Sequence, residues 1–596
     1  MNHPALFDMD SGLDPITFEV LRSIFEYASD RMSTVLQRSS FSPILSDMMD
    51  FSNAIYDADI NLLSQAANCP IHLAAMKFSA EEAINTFGAT NVNKGDVLIV
   101  NDPYRGGTHI NDISFIMPIF FGDTLMGYAV SRGHWMDLGG GGAGGQSFGT
   151  HIAGEGLRLP PLKMYSEGKV NEDVLSIMLN NTRTPHFVKG DLQAHLGCLK
   201  AAEQEIQRAC ERYGADTVRL AMKHIQAYTE RMIREAIRTI PDGVYEAEDF
   251  ADTDGVTDDP VKIKVKLTVS DSDIELDFEG TDPQCAGAIN SPAANTISSA
   301  LYSLQFFLAP DAPQNQGMFN PITVKLPEGC WLNCKWPAPT IGCTTLTAAK
   351  ITSAVWQALA QAVPERVTGS TCSEANWFVS SCTTPEGDID VFSDLPAGGW
   401  GGTPYADGMS VTMDPLGNCM NMPAESAELF FPIAYEAFEL RKDSAGAGKH
   451  RGGLGAIFKV RFLNGGELGM ETARTREGSP GVAGGGRSAV QRAYHLFPDG
   501  RSEVIGGKSL DESSWKNPLL ASHKFGPAEM FMFESTGGGG WGDPRQRPEK
   551  AVLEDVLDEY ISIDKAREVY GVHIDPKTML IDEARTAELR AAASTS

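Results

Sequence analysis

Residues 101–137 place two groups of imidazole and carboxylate side chains on either side of one β-hairpin pattern. The first group lies in NDPYRGGTHIND and the second in SRGHWMD. Between them, the apolar run 113–121 is followed by the turn signal Gly122-Asp123, and a second strand-like run returns over residues 124–132. We therefore predict a hairpin whose open end carries both polar groups.

The register of this hairpin decides which side chains meet at its open end. If the two turn residues close the hairpin, Asp112 lies opposite Gly133. His134 is then one residue from a cross-strand position and within reach of Asp112 and His109, because opposed residues have Cβ atoms roughly 5 Å apart. Two His and one or two Asp that converge in this way suit a divalent cation that activates water.

A further candidate ligand precedes the hairpin in the chain. Residues 46–65 alternate as a hairpin around residues 57–59, which places Asp50 at the start of a strand. A single His near a strand end is usually a hydrogen-bonded structural residue. Several acids buried beside two His would, however, leave uncompensated charge without a cation. The predicted metal ligands are Asp50, His109, Asp112 and His134.

Other polar residues lie near this set in the sequence. Asp102 and Asp137 are predicted to orient the imidazoles through hydrogen bonds. His151 is predicted to be a further ligand or a substrate contact. The glycine run from residue 139 to residue 145 follows the second polar group and is predicted to be a loop that approaches another element closely.

Length, net charge and cysteine content exclude several classes of function. A chain of 596 residues is too long for one core, so two to four domains are expected. The net charge of −29 argues against a nucleic-acid or anionic-membrane partner. The sequence shows neither a signal-peptide pattern nor an apolar run of membrane-spanning length. Ten dispersed Cys favour free thiols in a reducing cytoplasm, which is the predicted location.

The element pattern predicts an α+β fold class, with mixed α and β structure in several domains. Helices are predicted over residues 15–37, 71–87, 296–308 and 348–362, with two more in 191–240 that break near residues 213–214. Strand patterns dominate residues 243–280, and Pro- and Gly-dense stretches at 396–408, 446–455 and 465–486 predict β structure with functional loops. The predicted domains are a metal-binding domain 1–240, a β-rich middle domain 241–365, a Gly/Pro-rich domain 366–545 and a helical C-terminal extension 546–596.

Two motif matches carry little weight. GGKS at residues 506–509 resembles the end of a P-loop, but the required first glycine is replaced by Ser502 and no apolar strand leads into it. GQSFG around Ser147 matches a nucleophile elbow, yet a glycine run precedes it where a buried strand is needed. We predict neither a nucleotide site nor a catalytic serine in this chain.

Seven motifs occur in one order over more than 500 residues: DPITFEVLRS, SPILSDMMDFSNAIYD, NDPYRGGTHINDI, SRGHWMDLGG, EGLRLPP, AGAGKHRGGLG and GGGGWGDP. Together they resemble the B-type subunit of the hydantoinase and oxoprolinase family. Relatives of that subunit include N-methylhydantoinase, caprolactamase and the large subunits of acetone and acetophenone carboxylases.

The resemblance implies a complex with an A-type subunit, such as an α2β2 hetero-oligomer. ATP and Mg²⁺ are bound by the A-type subunit, which phosphorylates an amide or carbonyl oxygen. The B-type subunit holds Zn²⁺, Mn²⁺ or iron at the four predicted ligand positions, and water bound to that metal attacks a cyclic amide. In this hypothesis Asp137 orients His134 or takes the proton, while His151 positions the phosphorylated substrate.

Two alternatives remain open at this point. The same metal site could hold an enolate-like species or CO₂ in a ketone carboxylase, or the His and Asp cluster could tie loops together in a non-catalytic scaffold for the ATPase. The chain also departs from the family pattern at two positions. Trp135 replaces a second His, and His151 replaces an acid before EGLRLPP. These departures affect the expected substrate more than the expected metal.

Overall fold

The computed structural model describes residues 12–145 and 149–592, so the pattern around Ser147 lies outside the described residues. Within them, helices and strands alternate along the chain and form four sheets. The helices are α1 (Pro15–Ser39), α2 (Pro43–Ser46), α3 (Pro70–Phe87), α4 (Glu172–Asn180), α5 (Pro185–Tyr213), α6 (Ala215–Ile237), α7 (Ala293–Leu308), α8 (Thr347–Ala362), α9 (Ala424–Phe430), α10 (Glu549–Leu557), α11 (Ile563–Glu568) and α12 (Glu583–Ala592). None of these helices is long and apolar enough to cross a membrane.

The strands follow the same chain order. They are β1 (Phe51–Asp57), β2 (Leu62–Gln65), β3 (Val97–Val100), β4 (Asp112–Phe121), β5 (Thr124–His134), β6 (Leu162–Ser166), β7 (Lys169–Val170), β8 (Gly243–Ala251), β9 (Val261–Ser270), β10 (Asp273–Asp277), β11 (Ile322–Lys325), β12 (Phe378–Thr383), β13 (Ile389–Asp394), β14 (Ile433–Leu440), β15 (Ala456–Phe462), β16 (Gly466–Met470), β17 (Arg492–Leu496), β18 (Ser502–Lys508), β19 (Trp515–Lys516), β20 (Leu520–Phe525) and β21 (Met530–Glu534). This mixture of helices and several sheets confirms the predicted fold class.

The N-terminal sheet has seven strands in the order β2-β1-β5-β4-β3-β6-β7, and all its neighbours are antiparallel. Helix α5 packs on β4 and β5, α1 packs on α5 and β1, and α3 contacts β1, β4 and β5. All residues of β1 and β3 are buried, as expected for strands covered by helices on both faces. This covered sheet gives the site described below a rigid base.

The β4–β5 hairpin contains a bulge that the sequence did not reveal. Its turn pairs as predicted, but the register shifts by one residue between Ile119 and Phe120. Asp112 therefore lies opposite His134 and not Gly133, so the predicted register was wrong by one position. A bulge adds one unpaired residue to one strand. The alternation of apolar residues does not mark where that addition falls.

Most predicted helices and strands are confirmed within a few residues, including the break between α5 and α6 at Gly214. The predicted helical C-terminal extension contains three short helices, α10 to α12, and α10 and α11 contribute to a small apolar core. One larger core cluster extends from Leu13 to Phe533. The proposed domain boundaries stay predictions.

Glycine-rich segments outside the sheets hydrogen-bond to one another through their backbones. The N–H of Gly446 donates to the carbonyl of Gly538 at 2.8 Å, and Gly538 donates to Gly453 at 3.0 Å. A Cβ atom on Gly538 would lie only 2.0 Å from the carbonyl oxygen of Trp400. These glycine-rich segments thus pack directly against each other. The glycine run 139–145, for which a close approach was predicted, lies against a different segment, since a Cβ atom on Gly140 would be 2.6 Å from the carbonyl oxygen of Gly154. Only part of this region forms the regular β structure that the sequence predicted.

Replacing Gly538 by alanine should therefore destabilise the protein. The added methyl group must displace backbone atoms, and overpacking of this kind costs about 1–3 kcal/mol or more. Gly486→Ala is a matched control, because its Cβ would meet Ala447 at an ordinary 3.5 Å. Chemical denaturation followed by tryptophan fluorescence measures both variants. Equal stability of the two variants would contradict close packing of the glycine-rich segments around Gly538.

Candidate metal centre

Strand pairing brings three of the predicted ligands together at one edge of the N-terminal sheet. Asp50 directly precedes β1, Asp112 is the first residue of β4, and His134 is the last residue of β5. Strand β5 lies between β1 and β4, and the backbone N–H of His134 donates to the carbonyl of Asp50 at 3.0 Å. The Nδ1 atom of His134 lies 3.6 Å from Asp112 Oδ1 and 3.8 Å from Asp50 Oδ2.

The loop before β4 adds the fourth predicted ligand. The N–H of Asp112 donates to the carbonyl of His109 at 3.2 Å, which folds the loop back over the strand end. His109 Nε2 then lies 3.0 Å from His134 Nδ1, and His109 Nδ1 lies 2.9 Å from Asp112 Oδ2. The structure therefore brings all four predicted ligands into one cluster.

A fifth residue, His72, joins this cluster and was missed in the sequence. It lies in the first turn of α3, is 2% exposed, and places Nε2 3.3 Å from Asp112 Oδ2 and 4.0 Å from Asp50 Oδ1. The hydroxyl of Ser52 is 3.5 Å from its Nδ1. The signal in the sequence was an imidazole on the otherwise apolar start of the predicted helix 71–87. The sequence around His72 contained no signal that this helix starts beside the ends of β1, β4 and β5.

The charges of the cluster depend on each other. Burial alone raises the pKa of the Asp112 carboxyl, but the charges of His109 and His72 and hydrogen bonds to the imidazoles hold it well below its usual value. Burial also lowers the pKa of His109. Burial would lower the pKa of His134 as well, yet its hydrogen bond with Asp112 and the charge of Asp50 raise it. An ionised Asp112 and a neutral His109 are the forms that bind metals.

The geometry of these residues fits a divalent cation. Two atoms that bind one ion at roughly 2.0–2.2 Å lie roughly 3 to 3.5 Å apart. Potential ligand atoms of His109, Asp112 and His134 all lie within 4.8 Å of one another. Asp112 Oδ1 and His109 Nδ1 are buried and lie beside ionisable groups at 3.6 and 2.9 Å, but neither makes a hydrogen bond of good geometry among the described residues. An ion would satisfy such atoms, and a nitrogen and oxygen donor set suits Zn²⁺, Mn²⁺ or iron.

A partly open cavity of about 40 Å³ adjoins the cluster. This is enough space for an ion and one or two waters. One wall carries Asp50, His72, His109 and His134. The other lining residues include five from later parts of the chain, Thr344, Thr345, Trp377, Asp414 and Cys419. The site is thus composite, with the ring of Trp377 edge-on to His134 at 5.6 Å between centroids.

Asp137 lies close to His134 in sequence, but its carboxylate contacts the glycine loop and Arg183 and not the ligand cluster. Its oxygens accept hydrogen bonds from the backbone of Gly139 and Gly144, at 3.2 and 3.1 Å, and from the N–H and guanidinium of Arg183, at 2.6 and 2.7 Å. Within the described residues it does not line the cavity. These contacts anchor the glycine loop, and the catalytic role of Asp137 stays a prediction.

His151 and Asp102 are also placed away from the cluster. His151 is exposed, its Nδ1 accepts from the N–H of Ala153 at 3.1 Å, and its ring packs edge-on against Trp336. Asp102 accepts from the N–H of Tyr104 at 3.1 Å. The residues described as lining the cavity include neither of them. A substrate contact through His151 stays a prediction.

Asp137→Ala should loosen the glycine loop without releasing a metal. The substitution removes the hydrogen bonds to the loop and to Arg183, and we expect destabilisation of about 1–3 kcal/mol. Limited proteolysis within residues 138–145 and metal content per chain measure the two effects separately. Arg183→Gln should reproduce the proteolysis. Loss of metal from Asp137→Ala alone would instead support the predicted role beside His134.

Comparison with known protein families matches residues 14–544 to the family described as Hydantoinase B/oxoprolinase. The putative D-/L-hydantoinase B-type subunit of Pseudomonas sp. (strain NS671) is 32% identical over 605 residues, which cover 97% of this chain and 98% of that protein. The beta subunit of the caprolactamase of Pseudomonas jessenii is 32% identical over 597 residues, which cover 97% and 99%. Both relatives are named as subunits.

Solved structures show the same architecture. The crystal structure of the ATP-dependent caprolactamase from Pseudomonas jessenii superposes with a TM-score of 0.89 and 30% identity, covering 97% of this chain and 100% of that chain. A nucleotide-free acetone carboxylase superposes with a TM-score of 0.89 at 21% identity, covering 98% of this chain and 83% of that chain. At that identity the second likeness establishes the fold alone.

Proposed function

The chain belongs to the hydantoinase B/oxoprolinase family, and from this premise we propose that it is the metal-binding subunit of an ATP-dependent cyclic amide hydrolase. The observation that carries the proposal is the cluster of His109, Asp112 and His134 beside a small cavity, with Asp50 and His72 as neighbours. Relatives named as a hydantoinase subunit and a caprolactamase subunit support the substrate class.

In the proposed complex, an A-type partner binds ATP and phosphorylates the carbonyl oxygen of the ring. Because both relatives are named as one subunit of a larger enzyme, they support a hetero-oligomer, for which α2β2 is the expected form. The proposal assigns the nucleotide to the partner, which agrees with the position of the P-loop-like residues Gly506 and Lys508 inside strand β18. A strand does not offer the loop of backbone N–H groups that cradles phosphates.

This chain supplies the hydrolytic site. His109, Asp112 and His134 would hold the cation, with Asp50 and His72 as the neighbouring donors. When bound, a divalent cation lowers the pKa of water toward about 7 and polarises an adjacent oxygen. The pairing of Asp112 with the imidazoles fixes their ring orientation, as carboxylates commonly do around metals. Trp377 is buried, lines the cavity and packs edge-on against His134, which restricts the position of that ring.

The direct test uses the chain in complex with its A-type partner. The complex is given ATP with a lactam, a hydantoin or 5-oxoproline, and the ring-opened amino acid and released phosphate are measured together. We expect ring opening of at least one of these rings that depends on ATP and on a divalent metal. Bicarbonate-dependent carboxylation of a ketone, with no ring opening, would assign the site to the carboxylase alternative and overturn the proposal.

A further inference from the structure

A second cavity, of about 520 Å³, is separated by a thin wall from the cavity beside the ligand cluster. Asn68 and Pro70 line the second cavity, whereas Cys69 and Ile71, which alternate with them in the chain, line the smaller one. A single chain segment therefore lies between the two spaces. The smaller cavity has room for an ion and one or two waters. The second cavity falls within the roughly 300–1,000 Å³ that small-molecule sites occupy.

Three polar side chains of the second cavity hold one another in place. Gln65 Nε2 donates to the hydroxyl of Tyr302 at 2.5 Å and to Gln314 Oε1 at 3.2 Å, and the Tyr302 hydroxyl donates to Gln65 Oε1 at 2.7 Å. Gln65 and Tyr302 are 8% and 5% exposed. Amide and hydroxyl groups that are fixed in this way offer donors and acceptors in a defined orientation, and a few such groups give a small-molecule site its specificity.

The side chain of Gln305 points to a ligand, because one of its polar atoms is left unpaired. Gln305 lines the same cavity, is 6% exposed, and donates from Nε2 to the carbonyl of Met318 at 3.1 Å. Its Oε1 is buried and has no hydrogen-bond partner among the described residues. A buried acceptor that stays unpaired is destabilising. An N–H donor of a bound molecule at this end of the cavity would satisfy it.

The charges around the second cavity disfavour an anion. Among the described residues that line it, Arg22 is the one cationic side chain, and it is paired with Glu19 and Glu26 at 2.8 and 2.6 Å. Asp30 and Asp311 also line the cavity. A carboxylate or a phosphate would therefore meet acids without a free cation to pair with. The apolar part of the lining includes Phe25, Leu63, Leu73, Ile225 and Phe306.

We propose that the second cavity binds the neutral ring of a cyclic amide before it is phosphorylated, an inference that rests on the proposed function and narrows its substrate class. A small ring holds its amide in the cis form, so that the N–H and the carbonyl oxygen lie side by side at one edge. Glutamine side chains offer both an acceptor and donors to such an edge. The apolar lining suits the rest of the ring. A lactam or a hydantoin without an acidic substituent fits this chemistry, whereas the carboxylate of 5-oxoproline does not.

The test compares two rings that differ by one carboxylate. 2-Pyrrolidinone and 5-oxoproline share a five-membered lactam, and each is titrated into the full chain without ATP, with binding followed by ligand-observed NMR. We expect 2-pyrrolidinone to bind at least about 10-fold more tightly than 5-oxoproline. Gln305→Leu should weaken the binding of 2-pyrrolidinone about 5- to 10-fold, the loss expected for one hydrogen bond. Asp311→Lys, at an exposed position, should instead strengthen the binding of 5-oxoproline.

Further variants separate loss of binding from a change in folding. Ala67→Trp adds a large ring at an exposed position of the cavity lining and should reduce the affinity for 2-pyrrolidinone at an unchanged melting temperature. Gln357→Leu removes a partly buried glutamine of α8 that does not line this cavity, and it should leave both affinities unchanged. In the complex with the A-type partner and ATP, Gln305→Leu should raise KM for 2-pyrrolidinone with little change in kcat.

The possible failures of the inference and of the proposed function are distinguishable. Equal affinities for the two rings, or wild-type affinity for 2-pyrrolidinone in both Gln305→Leu and Ala67→Trp, would overturn the inference. If the complex with ATP still opens rings in that case, the proposed function stands without this binding site. Binding of 2-pyrrolidinone by the chain, in a complex that opens no ring, would overturn the proposed function and leave the binding site in place.

Discussion

His109→Ala should abolish both metal binding and ATP-dependent ring opening. The imidazole lies 3.0 Å from His134 Nδ1 and 2.9 Å from Asp112 Oδ2, so its loss opens the centre of the ligand cluster. Catalysis that depends on the cation would then fall by at least about 10³-fold, comparable with removing the nucleophile-activating group in other hydrolases. Metal content per chain by plasma mass spectrometry and ring-opening rates of the complex measure the effect.

Three control measurements test whether the effect of His109→Ala is specific to the loss of a metal ligand. His186→Ala removes an exposed imidazole on α5 and should change neither metal content nor rate. His134→Ala should match His109→Ala in both measurements. Phosphorylation of the substrate by the A-type partner, with consumption of about one equivalent of ATP per active site, should persist in the two ligand variants, because it occurs before the step assigned to this chain. Full ring opening by a metal-free variant would remove the basis of the proposed function.

The scaffold alternative predicts a different pattern in the same experiments. If the cluster only ties loops together, His109→Ala lowers the melting temperature and leaves the specific activity of the remaining folded complex unchanged. The hydrolase proposal predicts loss of specific activity in protein that is still folded. The two hypotheses are therefore separated by measuring rate per folded complex.

The local half of the site was predictable because it depends on strand pairing. Alternating apolar residues and a Gly-Asp turn define a hairpin, and a hairpin joins residues that are distant in sequence at its open end. That logic brought Asp50, His109, Asp112 and His134 together despite the unrecognised bulge. The bulge shifts the register by one residue and moves His134 directly opposite Asp112, which brings the ligands closer than the sequence predicted.

The rest of the site depends on packing between distant segments, which has no periodic signature. His72 reaches the cluster only because α3 packs against β1, β4 and β5. Thr344, Trp377 and Asp414 reach it from segments that the sequence assigned to other domains. Conversely, Asp137 and His151 were selected for closeness in sequence, and the backbone directs both side chains away from the cavity. Closeness along the chain is a weak guide once a glycine loop intervenes.

The second large effect is expected at Arg474, which joins the glycine-rich region to the middle sheet. Its guanidinium makes two parallel hydrogen bonds with Asp249 of β8, at 2.9 and 2.6 Å, and both side chains are buried. Arg474→Met leaves the Asp249 charge without its main partner. Breaking a buried pair in this way costs about 3–5 kcal/mol. Denaturation midpoints measured at neutral pH test this value.

The pKa of Asp249 determines how the contribution of this ion pair to stability changes with pH. Burial alone would raise the pKa of Asp249, but Arg474 and Lys350 lower it to about 2. The folded pKa lies below the unfolded one, so this carboxylate stabilises the protein above about pH 4 and loses that effect as the pH falls toward 2. Arg474→Met should flatten this part of the stability curve.

A double variant distinguishes the ion pair from general packing. Asp249→Asn in the Arg474→Met background removes the stranded charge and should recover part of the lost stability, whereas Asp249→Asn alone should be destabilising. Additive losses would contradict the pairing. Arg474 also donates to Ser373, two residues before the cavity-lining Ala375. Arg474 therefore helps to position this part of the cavity lining. The double variant still lacks Arg474, so it should recover part of the stability without recovering the wild-type rate of ring opening.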